Sequence, residues 1–363
     1  MLNAPKNFKG VNAGMLNSPG NICFTRPQVA TILACVWFGL FEFNYSSSAD
    51  REKFNPSLAD AVNNKNIFVI QCWMNYFKCV YDYYNTDDDH LLVFTSGIII
   101  IKRGEKLTCP NLTANNSRIT DIKICDGAMD DSSAKIRVIA ASNYVANGSQ
   151  NTPYAHAVFG GSLSEEELVM LIRPECMIVL LFCGLSPRNS VTVIGAEKIT
   201  KYVGYGSNVI FAGNYIDPAT RGYSPGDTEI LYQTAITFLF AKYSNDPQAQ
   251  FKNDFNSTIE NFYNGMSELK LTKRAQIAIN SWDYNGLNSQ LKFIQMIIAA
   301  TLANKSIYYY GRPQMINKFV DWLVNSKITI AELYTQTVNL IYSRRDDLDK
   351  LNKLNIFELI IDM

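Results

Sequence analysis

Charge is scarce in this chain. Only 18% of its 363 residues are charged, against about 25% in an average soluble protein. Lysine plus arginine number 33 and aspartate plus glutamate 33, so the net charge is zero. Neutralising nucleic-acid phosphates takes an excess of cations, so no direct DNA or RNA binding is expected. An anion held by backbone N–H groups or helix ends stays open. Histidine is nearly absent, with His90 and His156 alone. Two imidazoles cannot build a histidine-rich metal site, and neither a metal nor another cofactor is expected. The eight cysteines contain no Cys-x-x-Cys pair. Cys35, Cys72 and Cys183 lie inside apolar runs, which points to reduced, buried thiols rather than disulfides or zinc. No run reaches the roughly 18 consecutive apolar residues of a membrane span, so no membrane partner is expected. The first twenty residues carry Asn, Lys and Pro and no apolar leader segment. An intracellular location, nucleus or cytoplasm, is therefore expected rather than secretion. Walker, GxGxxG, HExxH and GxSxG motifs are all missing, which removes the commonest enzyme signatures.

What remains is ample core material, with 47% hydrophobic and 12% aromatic residues. The first third reads mostly as helix. Over 26–43, Val29, Ile32, Leu33, Val36, Trp37 and Leu40 recur at three-to-four spacing, with Thr25 as N-cap and Pro27 in the first turn. A second helix is expected over 67–84, with Ile70, Trp73, Phe77 and Val80 in register. Strands are expected over 91–94 and 98–102, then a loop over 104–116. Further on, strand patterns (136–141, 177–182, 191–194, 209–212, 276–279, 307–310) alternate with helical ones. The helices are expected over 165–172, 228–243, 248–263, 288–303, 313–324 and 330–343. Such alternation predicts an α/β fold, a sheet flanked by helices. The expected organisation is a helical accessory region over 1–90 and an α/β region with C-terminal helices over 91–363, either separable or merged into one unit.

Several segments carry candidate chemistry. Ser164-Glu165-Glu166-Glu167 follows Gly160-Gly161 and precedes an apolar helix. Serine at the N-cap with glutamate three residues on is a capping box, and acids suit the helix dipole there. The same geometry sets Glu166 and Glu167 beside a glycine loop. Backbone N–H groups could hold a phosphate there while a carboxyl works on the adjoining sugar. The two readings are compatible. The strand over 136–141 runs into a small-residue loop containing Asn143, Asn147 and Gly148, which could let backbone approach a ligand or could be an ordinary turn. Tyr205, between Gly204 and Gly206, could stack on a base or sugar, or simply decorate a turn. The segment 280–289, with Trp282, Asn285 and Gly286, follows a strand and precedes a helix, where α/β sheets bind ligands.

The order of these segments resembles the poly(ADP-ribose) glycohydrolase family. Gln28-Val29-Ala30-Thr31-Ile32-Leu33-Ala34 looks like that family's Gln-Ile-Ala-Ser-Leu-Leu-Ala helix. Ala140-Ala141-Ser142-Asn143 and Ala146-Asn147-Gly148 look like its Asp-Phe-Ala-Asn strand end and triple-glycine loop. Glu165-Glu166-Glu167, running on to Arg173-Pro174-Glu175, is similar to its Gln-Glu-Glu signature and Pro-Glu helix end. Gly195-Ala196-Glu197 and Tyr202-Val203-Gly204-Tyr205 resemble its next strand and tyrosine loop. The resemblance implies a macrodomain-like mixed sheet flanked by helices, with a helical N-terminal region. It implies hydrolysis of ribose–ribose O-glycosidic bonds in poly(ADP-ribose), releasing ADP-ribose without a metal. The implied partners are poly(ADP-ribose) or ADP-ribosylated proteins. By resemblance, Glu167 is the general acid and Glu166 orients ribose hydroxyls. The resemblance implies ligand contacts at Asn143, Asn147, Gly148, Tyr205 and Gly286, and the glycine loop before the acid helix adds Gly160 and Gly161 as expected contacts. The chain departs from the pattern at Glu165 (for Gln), Ala140 (for Asp), Ala146 (for Gly) and Cys125, near the family's acidic adenine contact. The loop 283–289 keeps Gly286 alone of its glycines. These departures leave open an ADP-ribose-binding module without turnover, or a structural protein on the same fold.

Overall fold

The computed structural model describes residues 19–38, 40, 66–85, 98–104, 107–134, 136–141, 163–179, 190–215, 235–240, 247–267, 275–280, 289–311, 313–343 and 354–363. In chain order the elements are β1 (Gly20–Thr25), α1 (Arg26–Trp37), α2 (Ile67–Asn85), β2 (Ile98–Arg103), β3 (Ile122–Cys125) and β4 (Ile136–Ala141). There follow α3 (Glu165–Ile172), β5 (Val191–Ile194), β6 (Thr200–Val203), β7 (Ile210–Asn214), β8 (Ala235–Phe240) and α4 (Pro247–Ser267). The last are β9 (Gln276–Asn280), α5 (Ser289–Leu302), β10 (Ser306–Tyr310), α6 (Pro313–Ser326), α7 (Ile330–Ser343) and α8 (Ile356–Ile361). Two compact units interleave along the sequence. The first takes Met1–Arg103, Ala141–Ser186 and Val191–Phe238; the second takes Gly104–Ala140, Pro187–Ser190 and Leu239–Met363.

In the first unit, β1, β2, β5 and β8 pair antiparallel in that order. Thr192 and Thr237 meet across β5 and β8 with hydroxyls 3.0 Å apart, which satisfies two buried polar groups. The chain enters α1 through a full capping box, Thr25 with Gln28, and Pro27 lies in the first turn. Val29, Ile32, Leu33, Val36 and Trp37 are buried as their spacing predicts. Trp37 stacks on Trp73 of α2 at 4.7 Å, a pair worth about 1 kcal/mol beyond the area it buries. The buried side of α2 is made of Phe68, Val69, Cys72, Trp73 and Tyr76.

In the second unit, β4, β9, β10 and β3 pair in parallel. Parallel neighbours need crossovers, and α5 supplies the one between β9 and β10. Every residue of α5 from Gln290 to Ala300 is buried. Phe293 sets its ring edge-on to Tyr309 at 4.9 Å. Phe319 of α6 stacks on Phe357 of α8 at 4.2 Å, so the C-terminal helix closes this core.

Several expectations are corrected. Residues 177–182 do not begin as a strand: Met177 and Ile178 belong to a 3₁₀ turn, Pro174–Ile178. The helix expected over 228–243 is instead β8 in its described part. Both errors have one cause, since a run buried on all sides has no periodicity to separate strand from helix. Leu40 lies beyond the end of α1 and is 69% exposed. In α2 the buried stripe is rotated, so Ile70, Phe77 and Val80 are only half-buried. The strands β1, β3 and β6 and helix α8 were not anticipated. The expected strand 91–94 lies outside the described residues.

Candidate active site

Helix α3 carries the acids. Its N-cap, Ser164, is extended (φ −73°, ψ 166°), which turns the chain abruptly into the helix. The Ser164 hydroxyl oxygen accepts from the Glu167 backbone N–H at 3.3 Å. Glu167 turns back: its Oε2 accepts from the Ser164 N–H at 2.7 Å and from the Ser164 hydroxyl at 2.9 Å. The capping box read from the sequence is therefore complete. Glu166 and Glu167 are fully buried, at 0% and 1% exposure. Burying two carboxyls is costly, and the positive end of the helix dipole offsets part of that cost.

Both ends of α3 are tied to one stretch of chain. At its start, Leu163 forms an antiparallel bridge with Gly206. At its end, the Ile172 carbonyl accepts from the Ile199 N–H at 3.0 Å. Between these anchors run β6 and the start of the turn into β7, with Tyr205 in that turn. Gly204 (φ +83°) is required there, because a Cβ would fall on the Asn208 carbonyl oxygen. The Asn208 N–H closes the turn onto the Tyr205 carbonyl at 3.1 Å. Tyr205 itself is 60% exposed. The hairpin root is held by Asn75 of α2, whose amide donates to the Ile199 carbonyl at 2.9 Å and to the Thr200 hydroxyl at 3.1 Å. Lys198 lies over the Tyr215 ring, 4.3 Å from its centroid.

Sequence reasoning missed a buried ion network behind this frame. The Arg26 Nη1 donates to Glu197 Oε2 at 2.9 Å and its Nη2 to the Gly195 carbonyl at 2.7 Å. Its Nε stands 3.4 Å from Glu175 Oε1. Glu175 Oε2 accepts from the Glu197 N–H at 3.1 Å, and an Arg173 Nη1 donor reaches the Ala196 carbonyl at 3.4 Å. Burial pushes the Glu175 carboxyl above its ordinary range, and the Arg26 guanidinium pulls the other way. The one available signal was charge inside otherwise buried stretches. Nothing in the sequence pairs position 26 with 175 or 197.

Among the candidate site residues, the structure brings together the start of α3, with Glu166 and Glu167, and the Tyr205 turn. Asn143, Asn147, Gly148, Gly160, Gly161 and Gly286 lie outside the described residues. Cys125 ends β3, half-buried, with its Sγ 3.7 Å from the Lys123 carbonyl, and Asp126 beside it is exposed. On the neighbouring strand, burial pushes the Tyr310 hydroxyl up, opposed by a hydrogen bond with Ser132.

A family model described as poly(ADP-ribose) glycohydrolase, macro domain fold, matches residues 109–315, more than half of the chain. The chain belongs to the poly(ADP-ribose) glycohydrolase family. Poly(ADP-ribose) glycohydrolase 1 of Arabidopsis thaliana is 25% identical over 234 residues, covering 59% of this chain and 38% of that protein. The match thus spans well under half the length of this curated relative. The macro domain fold of the family agrees with the mixed α/β architecture, in which parallel and antiparallel strands both occur. Among the described residues, no helix is long and apolar enough to cross a membrane.

Proposed function

We propose that this chain hydrolyses ribose–ribose O-glycosidic bonds in poly(ADP-ribose) and releases ADP-ribose. The observation that carries the reading is the Leu163–Gly206 bridge, which sets the tyrosine turn alongside the buried acid pair of α3. Glycoside cleavage passes through an oxocarbenium-like transition state, and the departing oxygen needs a proton. Glu167 is the proposed general acid. Its Oε2 accepts from the Ser164 N–H and hydroxyl in the capping box, and the carboxyl so held at the helix start is the proposed proton donor. Glu166, one position earlier, is the proposed positioner of ribose hydroxyls. Asn143, Asn147, Gly148, Gly160, Gly161, Tyr205 and Gly286 are the proposed ligand contacts.

A second reading has its own observation. The Glu167 carboxylate serves as a helix cap through Oε2, and Ala140, Ala146 and Glu165 stand where the family pattern has other residues. A chain of this kind could bind ADP-ribose without turning over polymer. Incubating the purified chain with poly(ADP-ribose) and chromatographing the products separates the two. ADP-ribose release is expected. Calorimetric binding of ADP-ribose without release would replace the enzyme by a binding module, and neither would leave a structural protein.

A further inference from the structure

We propose that Arg26 is a positioning residue: its buried guanidinium sets the Glu166–Glu167 helix against the Tyr205 hairpin. The inference rests on the function proposed above for its kinetic readout. Three charged side chains from three separate segments converge here, with Arg26 5%, Glu175 4% and Glu197 7% exposed. Arg26 spends its donors on Glu197 and on the Gly195 carbonyl, and its Nε faces Glu175. Glu175 lies three residues beyond the end of α3, and Glu197 three residues before the start of β6. The guanidinium therefore bolts the C-terminal end of the acid helix to the root of the tyrosine hairpin. The Glu175 carboxylate receiving the Glu197 N–H locks the same two segments a second time.

Stability alone does not account for such a device. Well-packed apolar groups of similar volume commonly replace a buried ion cluster without loss of stability. What an apolar cluster lacks is direction. Arginine's rigid fork fixes the angle between the groups it holds, as neither lysine nor methionine does. The angle matters because the acids are at the far end of the helix. Eight residues at 1.5 Å rise make α3 about 12 Å long, so a pivot of about 5° at its bolted end moves the carboxyls by about 1 Å, a displacement that can cost about 100-fold in rate.

The test uses the full chain. The triple variant Arg26→Met/Glu175→Gln/Glu197→Gln roughly keeps the volume and removes the charges of Arg26, Glu175 and Glu197, leaving Arg173 in place. It is expected to melt within a few degrees of wild type while kcat on poly(ADP-ribose) falls about 10- to 100-fold and KM stays within about twofold. Arg26→Lys is expected to restore little of kcat. Wild-type kcat in the triple variant would overturn the proposal, as would a rescue by Arg26→Lys to the wild-type rate. A second measurement needs no turnover: amide hydrogen exchange in Arg26→Lys. The Leu168 and Ile199 N–H groups, bonded to the Ser164 and Ile172 carbonyls, should exchange about tenfold faster together, while those of β2 and β5 keep wild-type rates. Unchanged protection at 168 and 199 overturns the proposal even if the triple variant does not fold. If the wild-type chain releases no ADP-ribose, the functional reading fails and the exchange result alone decides the positioning role.

Discussion

Capping and the proposed acid catalysis are separable at Glu167, because the first needs an acceptor and the second a proton. Glu167→Gln keeps a side-chain oxygen able to accept from both the Ser164 N–H and the Ser164 hydroxyl, and glutamine is an accepted third residue of a capping box. The variant loses the favourable interaction of a negative charge with the helix N-terminus, about 0.3–1 kcal/mol. For a cooperative unit of roughly 150–250 residues, 1 kcal/mol lowers the melting point by about 2–4 °C. An amide cannot donate a proton as a carboxylic acid does, so ADP-ribose release should fall by about 10²–10⁴-fold. Ser164→Ala does the reverse. It removes the oxygen that caps the Glu167 N–H and one of the two donors on Oε2, at a cost of about 1 kcal/mol. The carboxyl survives, so the rate should fall by less than about tenfold, under half the loss from removing the acid on a logarithmic scale. The two variants should thus rank one way in melting temperature, the alanine lower, and the opposite way in initial rate. Equal rates for wild type and Glu167→Gln would refute the assignment. So would a Ser164→Ala rate as low as that of Glu167→Gln, since the cap would then be the whole of the effect.

Three other outcomes are expected. Trp73→Ala, which empties a fully buried site stacked on Trp37, should destabilise the chain by about 3–5 kcal/mol in a denaturant titration. Gly204→Ala forces a Cβ onto the Asn208 carbonyl oxygen in a left-handed turn; it should weaken ADP-ribose affinity in calorimetry if Tyr205 closes over the ligand, with β2–β5 hydrogen exchange unaffected. Glu175 has a folded-state affinity for its proton raised by burial, so the folded chain holds that proton more tightly than the unfolded one. Its contribution is fully present below about 4.5 and is lost as pH rises through the raised folded value; the melting point of wild type relative to Glu175→Gln should fall over that interval, and a constant difference would contradict the sign.

Local signals made much of this molecule legible from sequence. The N-cap at Thr25 and the capping box at Ser164 appear as read, and the structure adds that Gln28 completes a box at Thr25 as well. The amphipathic face of α1 and the strands at 136–141 and 191–194 were equally readable, since side-chain period and β-branching are properties of the segment itself. Where burial surrounds a segment on every side, as at β8 and the 3₁₀ turn Pro174–Ile178, the period vanishes and the neighbours choose the conformation. The acid pair was visible as three glutamates at a helix start. That Glu167 bends back onto Ser164 Oγ and N–H follows from the same four residues.

No local pattern contains the partners of Arg26. Its carboxylates are 149 and 171 positions away in sequence, a separation that only chain closure can bring to 3.4 and 2.9 Å. The same holds for Leu163 against Gly206, a backbone bridge without any side-chain signature. Sequence alone therefore determined which residues could cap, bury or ionise, because those are short-range properties. The tertiary structure decided which of them meet, because a buried charge is tolerated only where a distant partner arrives to satisfy it.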